Sequence, residues 1–142
     1  MITKEKAQEW IYWTATPIPD DVDKKYAYWN GEKWIENSAQ KLQDMKNRAI
    51  NQLWSNYKAF QRKYVDPEDL ILATTLSLAN QPMGTAVRNW VFLLWDAYYV
   101  VRAQIVNATS VDAVNAIDIS VKLGTPPYTI KELNEEAKEM NS

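Results

Sequence analysis

Histidine and cysteine are absent from the 142 residues of this chain, and glycine occurs only three times. Each absence excludes a chemistry. Without imidazole or thiol the chain cannot build a Ser-His or Cys-His nucleophile, a thiol redox centre or a zinc site of nitrogen and sulfur ligands. With so few glycines, loops that let a backbone approach a phosphate are excluded, and no Walker, Rossmann or calcium-loop spacing occurs. Neither cofactor nor metal is expected. Long apolar runs are missing too. The tract Val91-Phe92-Leu93-Leu94-Trp95 is bracketed by Arg88, Asp96 and Arg102, and Met1-Ile2-Thr3-Lys4-Glu5-Lys6 has no apolar stretch of signal-peptide length. Neither reads as a spanning or targeting segment, so a membrane partner is not expected.

Aromatic area is what the chain has instead: seven Trp, eight Tyr and two Phe. Trp and Tyr bury large rigid surfaces at the cost of two rotatable bonds and keep one polar handle, which suits them to packed protein–protein interfaces. Hydrophobic residues make up 46% and charged residues 24%, inside the range of folded globular domains. Net charge is −2 but unevenly spread: between Ala39 and Tyr64 six bases stand against the single acid Asp44, whereas ten acids face five bases from Val65 onward. A basic helix of this kind can meet an acidic partner or simply present a solvated face.

The pattern predicts a small, mainly α single domain of four to six helices with one N-terminal β-hairpin. Residues 1–37 hold a short helix over Thr3–Trp13, a Pro17/Pro19 connector, and aromatic flanks around Asn30-Gly31, a dipeptide suited to a two-residue type I′ turn. Residues 38–124 form the helical core. Leu42, Met45, Ala49, Leu53, Tyr57, Phe60 and Tyr64 step by three or four, which predicts an amphipathic helix over Ser38–Tyr64. Asp66-Pro67 starts the next helix, to about Asn80. After Gln81-Pro82-Met83-Gly84, with Thr85 as cap, a helix over Ala86–Val106 is apolar nearly all round, so another element or another chain must cover it. Ser110 caps a further helix over Val111–Lys122, with Gly124 as a left-handed stop. Residues 125–142 form an acidic helix from Ile130 to about Met140, opened by a Thr129/Glu132 capping box with Tyr128 and Leu133 at hydrophobic-staple positions.

Candidate interface residues are Trp29, Trp34, Trp90, Trp95 and Tyr99. No residue is assigned a catalytic role. Glycoside hydrolysis needs only two carboxylates, so a hydrolase is one alternative. Asp66, Glu68 and Asp69 read better as helix-start residues, and Asp96 as half of an ion pair with Arg102 or Arg88. A nucleic-acid-binding accessory role is a second alternative, weakened because Trp54 and Tyr57 lie on the apolar stripe, opposite most of the positive charge.

The order of features resembles the small tail-fibre assembly proteins of tailed bacteriophages. Its carriers are Pro17-Ile18-Pro19-Asp20-Asp21-Val22, the hairpin Tyr28-Trp29-Asn30-Gly31-Glu32-Lys33-Trp34, the Lys/Arg-rich helix, Trp95-Asp96-Ala97-Tyr98 and Thr125-Pro126-Pro127. The resemblance implies a non-enzymatic chaperone for a trimeric fibre, acting in the host cytoplasm during assembly. It implies a tail fibre or other virion protein as partner, with self-association possible. The more apolar late helix and the acidic helix after Pro127 depart from the family, and they leave open a permanent small virion component.

Overall fold

The computed structural model describes residues 16–142. The chain is mainly α with one N-terminal hairpin: a 3-10 turn Lys24–Tyr26, β1 Ala27–Trp29, β2 Trp34–Glu36, α1 Ser38–Tyr64, α2 Pro67–Leu78, α3 Pro82–Asn107, α4 Val111–Asn115 and α5 Ile130–Met140. The expected helix over Thr3–Trp13 lies outside the described residues. The described residues fall into two compact units that divide between Met45 and Lys46, within α1.

In the first unit the strands pair antiparallel, with Ala27 opposite Glu36, Tyr28 opposite Ile35 and Trp29 opposite Trp34. Four residues, Asn30–Lys33, connect them, so the expected two-residue type I′ turn does not form. The Asn30 side chain explains the difference: its Oδ1 accepts the backbone N–H groups of Glu32 and Lys33, both at 2.9 Å, closing an Asx turn in which only Gly31 needs positive φ, at 101°. Tyr26 is buried and donates its hydroxyl to Asp44 at 2.9 Å. Lys41 reaches Asp23 and Glu36, each at 3.4 Å. Desolvation pulls the Lys41 pKa down, but the hydrogen bonds and charges of Glu36 and Asp23 outweigh it and hold the pKa above the usual 10.5.

The second unit packs around α3, whose Val87, Trp90, Val91, Leu94, Tyr98, Val101 and Ile105 are buried. The helices α2 and α1 meet it differently. Against α2 the contact is made by small residues: a Cβ added at Gly84 would collide with Leu76 Cβ and lie 3.1 Å from the Ala73 carbonyl oxygen, so the backbones approach closely only because residue 84 is Gly. Against α1 the contact is aromatic. Trp54 meets Trp95 and Tyr98 with ring centroids 5.0 and 5.7 Å apart, Tyr57 meets Tyr98 at 5.8 Å, and Trp90 meets Phe60 at 5.9 Å and Tyr64 at 6.3 Å.

The turn from α2 into α3 is a Schellman motif. The Gln81 N–H donates to the Leu76 carbonyl at 2.9 Å and the Asn80 N–H to Ser77 at 3.0 Å, with Asn80 left-handed at φ 58°. α3 therefore begins at Pro82, four residues earlier than expected, and Thr85 lies inside it with its hydroxyl donated to the Gln81 carbonyl at 2.8 Å. The N-cap Gln81 supplies no side-chain bond. Glu136 of α5 supplies it from outside: its carboxylate accepts the Met83 N–H at 3.0 Å and the Gly84 N–H at 2.9 Å, which explains why an acid is buried there. Thr129 forms the full capping box that its spacing with Glu132 predicts, and Asp66 is the expected N-cap and closes a box with Asp69 as well.

The expected helix over Val111–Lys122 stops at Asn115. Beyond Ala116 the sequence alternates, and Ile117, Ile119, Val121 and Leu123 turn toward the core while Asp118, Ser120, Lys122 and Gly124 face water. A period of two rather than 3.6 lays this segment over the helices as an extended strap. Asn56 donates to the Ile119 carbonyl at 3.0 Å and Trp90 Nε1 to the Gly124 carbonyl at 2.8 Å, which ties the strap to α1 and α3. Gly124 has no positive φ and stops no helix.

Candidate functional site

The outward side of α3 carries an apolar surface left uncovered among the described residues. At 100° per residue, Phe92, Asp96, Tyr99, Ala103 and Val106 fall in one row, with Leu93 and Val100 beside it. Phe92 is 54% exposed, Leu93 56%, Tyr99 60%, Val100 61% and Val106 46%. Large apolar residues scattered singly on a surface are ordinary, but a row that follows one helix face for four turns is a contiguous patch.

The patch is braced from beneath. The Tyr99 ring packs edge-on to Tyr98 at 5.0 Å, and Tyr98 is itself fixed by Tyr57, Trp54 and Trp95. Trp95 donates Nε1 to Gln61 at 2.5 Å. The guanidinium of Arg88 lies over the Phe92 ring at 5.4 Å. Trp54 extends the aromatic surface onto α1, 44% exposed with Lys58 over its ring at 5.9 Å. Rings held in this way lose little freedom on binding, which is the property of an interface anchor.

Of the five residues singled out in the sequence, Tyr99 lies in the middle of this patch, and Trp95 is half-buried at its edge. Trp90 is buried and spends its N–H on the strap. Trp34 is also buried, donates Nε1 to the Thr16 carbonyl at 2.8 Å and meets half-buried Trp29 edge to face at 5.7 Å. Those two tryptophans pack on each other within the first unit. Phe92, Leu93, Val100 and Val106 complete the patch, and sequence reasoning had left them out of the interface. Their signal was present: they are the apolar positions of α3 that lie off its core-facing stripe.

The acids have other occupations. Asp66 and Asp69 satisfy each other's backbone N–H groups, and Asp118 accepts Ser120 N–H and hydroxyl at 2.9 and 2.7 Å, bonds that hold its carboxyl below the usual 3.8. Asp96 is exposed and forms no ion pair among the described residues, contrary to the expected bond to Arg102 or Arg88. The geometry of a helix explains this: Arg102 stands 240° round the axis from Asp96, and Arg88 lies about 12 Å along it. Among the described residues no group of three or more acidic side chains gathers as a metal cage, and no helix is long and apolar enough to cross a membrane. Neither a family model, nor a curated protein, nor a solved structure matches this chain.

Proposed function

We propose that this chain is a non-enzymatic assembly protein that works through the outer face of α3, and that its setting is the tail of a bacteriophage, as its resemblance to tail-fibre assembly proteins implies. One observation carries the reading: the braced, exposed row of Phe92, Tyr99 and Val106 with its Leu93 and Val100 flank. The five side chains expose roughly 500 Å² of mostly apolar surface, at the upper end of what a soluble monomer shows. A face of that size and rigidity is suited to another protein surface, and an assembly role needs no chemistry from the chain. The tail setting rests on the resemblance alone.

Co-expression with a trimeric phage tail-fibre protein tests the reading. The chain should raise the yield of soluble fibre trimer, and Tyr99→Glu, which places a charge at the centre of the patch, should abolish that effect while the helical circular dichroism of the domain stays unchanged. Equal trimer yield with the parent, with Tyr99→Glu and with no chain at all would refute it.

A further inference from the structure

We infer that the occupant of the α3 face is a second copy of this chain, packed antiparallel with a two-fold axis passing beside Tyr99. The inference rests on the reading of this face as an interface and adds its partner and register: the chain acts on the fibre as a dimer closed through α3, and Tyr99→Glu acts by parting that dimer. Charge supplies the first argument. Asp96 lies three residues before Tyr99 and Arg102 three residues after it, both exposed and neither in an ion pair among the described residues. A two-fold axis at residue 99 brings residue i of one copy opposite residue 198 − i of the other, so Asp96 faces Arg102 of the second copy, and the same pair recurs on the far side of the axis. Phe92 then faces Val106 of the second copy, and the two Tyr99 rings meet at the centre.

Two other registers oppose like charges. A parallel pairing of the two helices would stack Asp96 on Asp96 and Arg102 on Arg102, and an antiparallel axis at Asp96 would bring the two carboxylates together. An antiparallel axis at Phe92 would match Asp96 with Arg88 but set Tyr99 against Thr85, so a register near Tyr99 serves the charges and the apolar row together.

Area supplies the second argument. With the exposed part of Trp54 at its edge, the patch presents roughly 600 Å² per copy, to which polar atoms at the rim add, against roughly 800 Å² per partner in a standard stable interface. An isologous pair would therefore bury most of the apolar surface that the monomer exposes on this face.

Mass measurement of the purified chain by light scattering gives the direct test. The parent should run at twice the 16.5 kDa chain mass in the micromolar range. Asp96→Arg should weaken the dimer by at least about tenfold, and Asp96→Arg combined with Arg102→Asp should restore it to within about threefold. Because the chain has no cysteine, Tyr99→Cys introduces its only thiol. Facing helices put residues at a two-fold axis within disulfide range, so this variant should oxidise to a covalent dimer far faster than Asn51→Cys on the exposed side of α1. A parent that stays at 16.5 kDa at roughly 100 μM, or a dimer that Asp96→Arg leaves intact, overturns the inference. The two readings fail separately. A monomeric parent whose fibre-assembly effect is still lost on Tyr99→Glu removes the dimer and keeps the assembly role, whereas a charge-swappable dimer with no effect on the fibre keeps the dimer and removes that role.

Discussion

Replacing Glu136 should damage the fold more than any other single acid. Glu136 is 7% exposed and its carboxylate accepts the first two N–H groups of α3, those of Met83 and Gly84 after Pro82, in a helix whose own N-cap makes no side-chain bond. Glu136→Ala leaves two helix-start donors without acceptors, one of them on buried Gly84, and removes a negative charge from the positive end of the helix dipole. Loss of a cap costs about 1 kcal/mol and loss of a partly buried charge at a helix terminus up to about 2, so the sum is about 3 kcal/mol. For a chain of this length that lowers the melting temperature by roughly 10 °C. Glu136→Gln keeps one oxygen for one of the two donors and should cost about half as much. Urea denaturation followed by tryptophan fluorescence measures both, since Trp90 and Trp95 sit on the helix being capped. The reasoning fails if Glu136→Ala lies within about 0.5 kcal/mol of the parent, because the carboxylate would then add nothing that water could not.

Gly84→Ala should destabilise by about 2 kcal/mol even though alanine is the better helix former by about 1, because the added methyl overlaps Leu76 Cβ; Gly124→Ala, with nothing within 4 Å, is the neutral control in the same urea series. Trp90→Phe removes the bond to the Gly124 carbonyl and leaves a void beside Phe60 and Tyr64, so it should cost about 2 kcal/mol and speed amide exchange across 117–124, as read by NMR. Asp118 has a lowered pKa, so the stabilisation it lends the strap is full above its unfolded value of 3.8 and fades as pH falls through the lower folded value. A carboxyl-carbon NMR titration should place its midpoint below 3.8 in the parent and move it upward in Ser120→Ala, and an unchanged midpoint would refute the role of the hydroxyl.

The helix ends were legible wherever a local rule sufficed. Asp66-Pro67 and the Thr129/Glu132 pair satisfy backbone donors within a few residues of themselves, so spacing alone announces them. The α3 start was not legible, since its acceptor comes from Glu136, 52 residues from Gly84, and no local pattern encodes a cap supplied across the fold. At 117–124 apolar and polar residues alternate, a signal of extended chain, whereas the Ser110 cap points to a helix. The cap does open one, and it ends after five residues, where the period changes to two. Aromatic composition correctly marked surface area as the chain's main resource without sorting it. Trp90 turns inward because it lies on the buried stripe of α3 with Val87 and Val91, where Gly124 offers its N–H a carbonyl, while Tyr99, nine residues and 180° later, points to the opposite side of the helix.

The sides of α3 differ in a way that accounts for its bare face. On the α2 side, Gly84 and Ala73 bring the backbones together, so little side-chain area is needed to close the contact. On the α1 side, pairs of large rings fill the gap, and such rings cannot all turn inward. Trp54 emerges at the edge, and the ring series continues through Tyr98 to Tyr99 outside. α4 and the strap follow α3, and its N-terminus receives Glu136 from α5. None of these elements buries Phe92, Leu93, Tyr99, Val100 or Val106. A helix interior to the fold has no requirement for Asp96, and one facing only water has no requirement for five large apolar residues around it. On the proposed reading, the combination is that of an interface stripe carrying a charge that fixes register. It follows that Asp96→Leu should strengthen association, by extending the apolar row, while relaxing its alignment: single-cysteine cross-links at residue 99 should spread to neighbouring positions. If Asp96→Leu instead leaves the chain monomeric and its solubility unchanged, the acid serves solvation only and the stripe is not a contact surface.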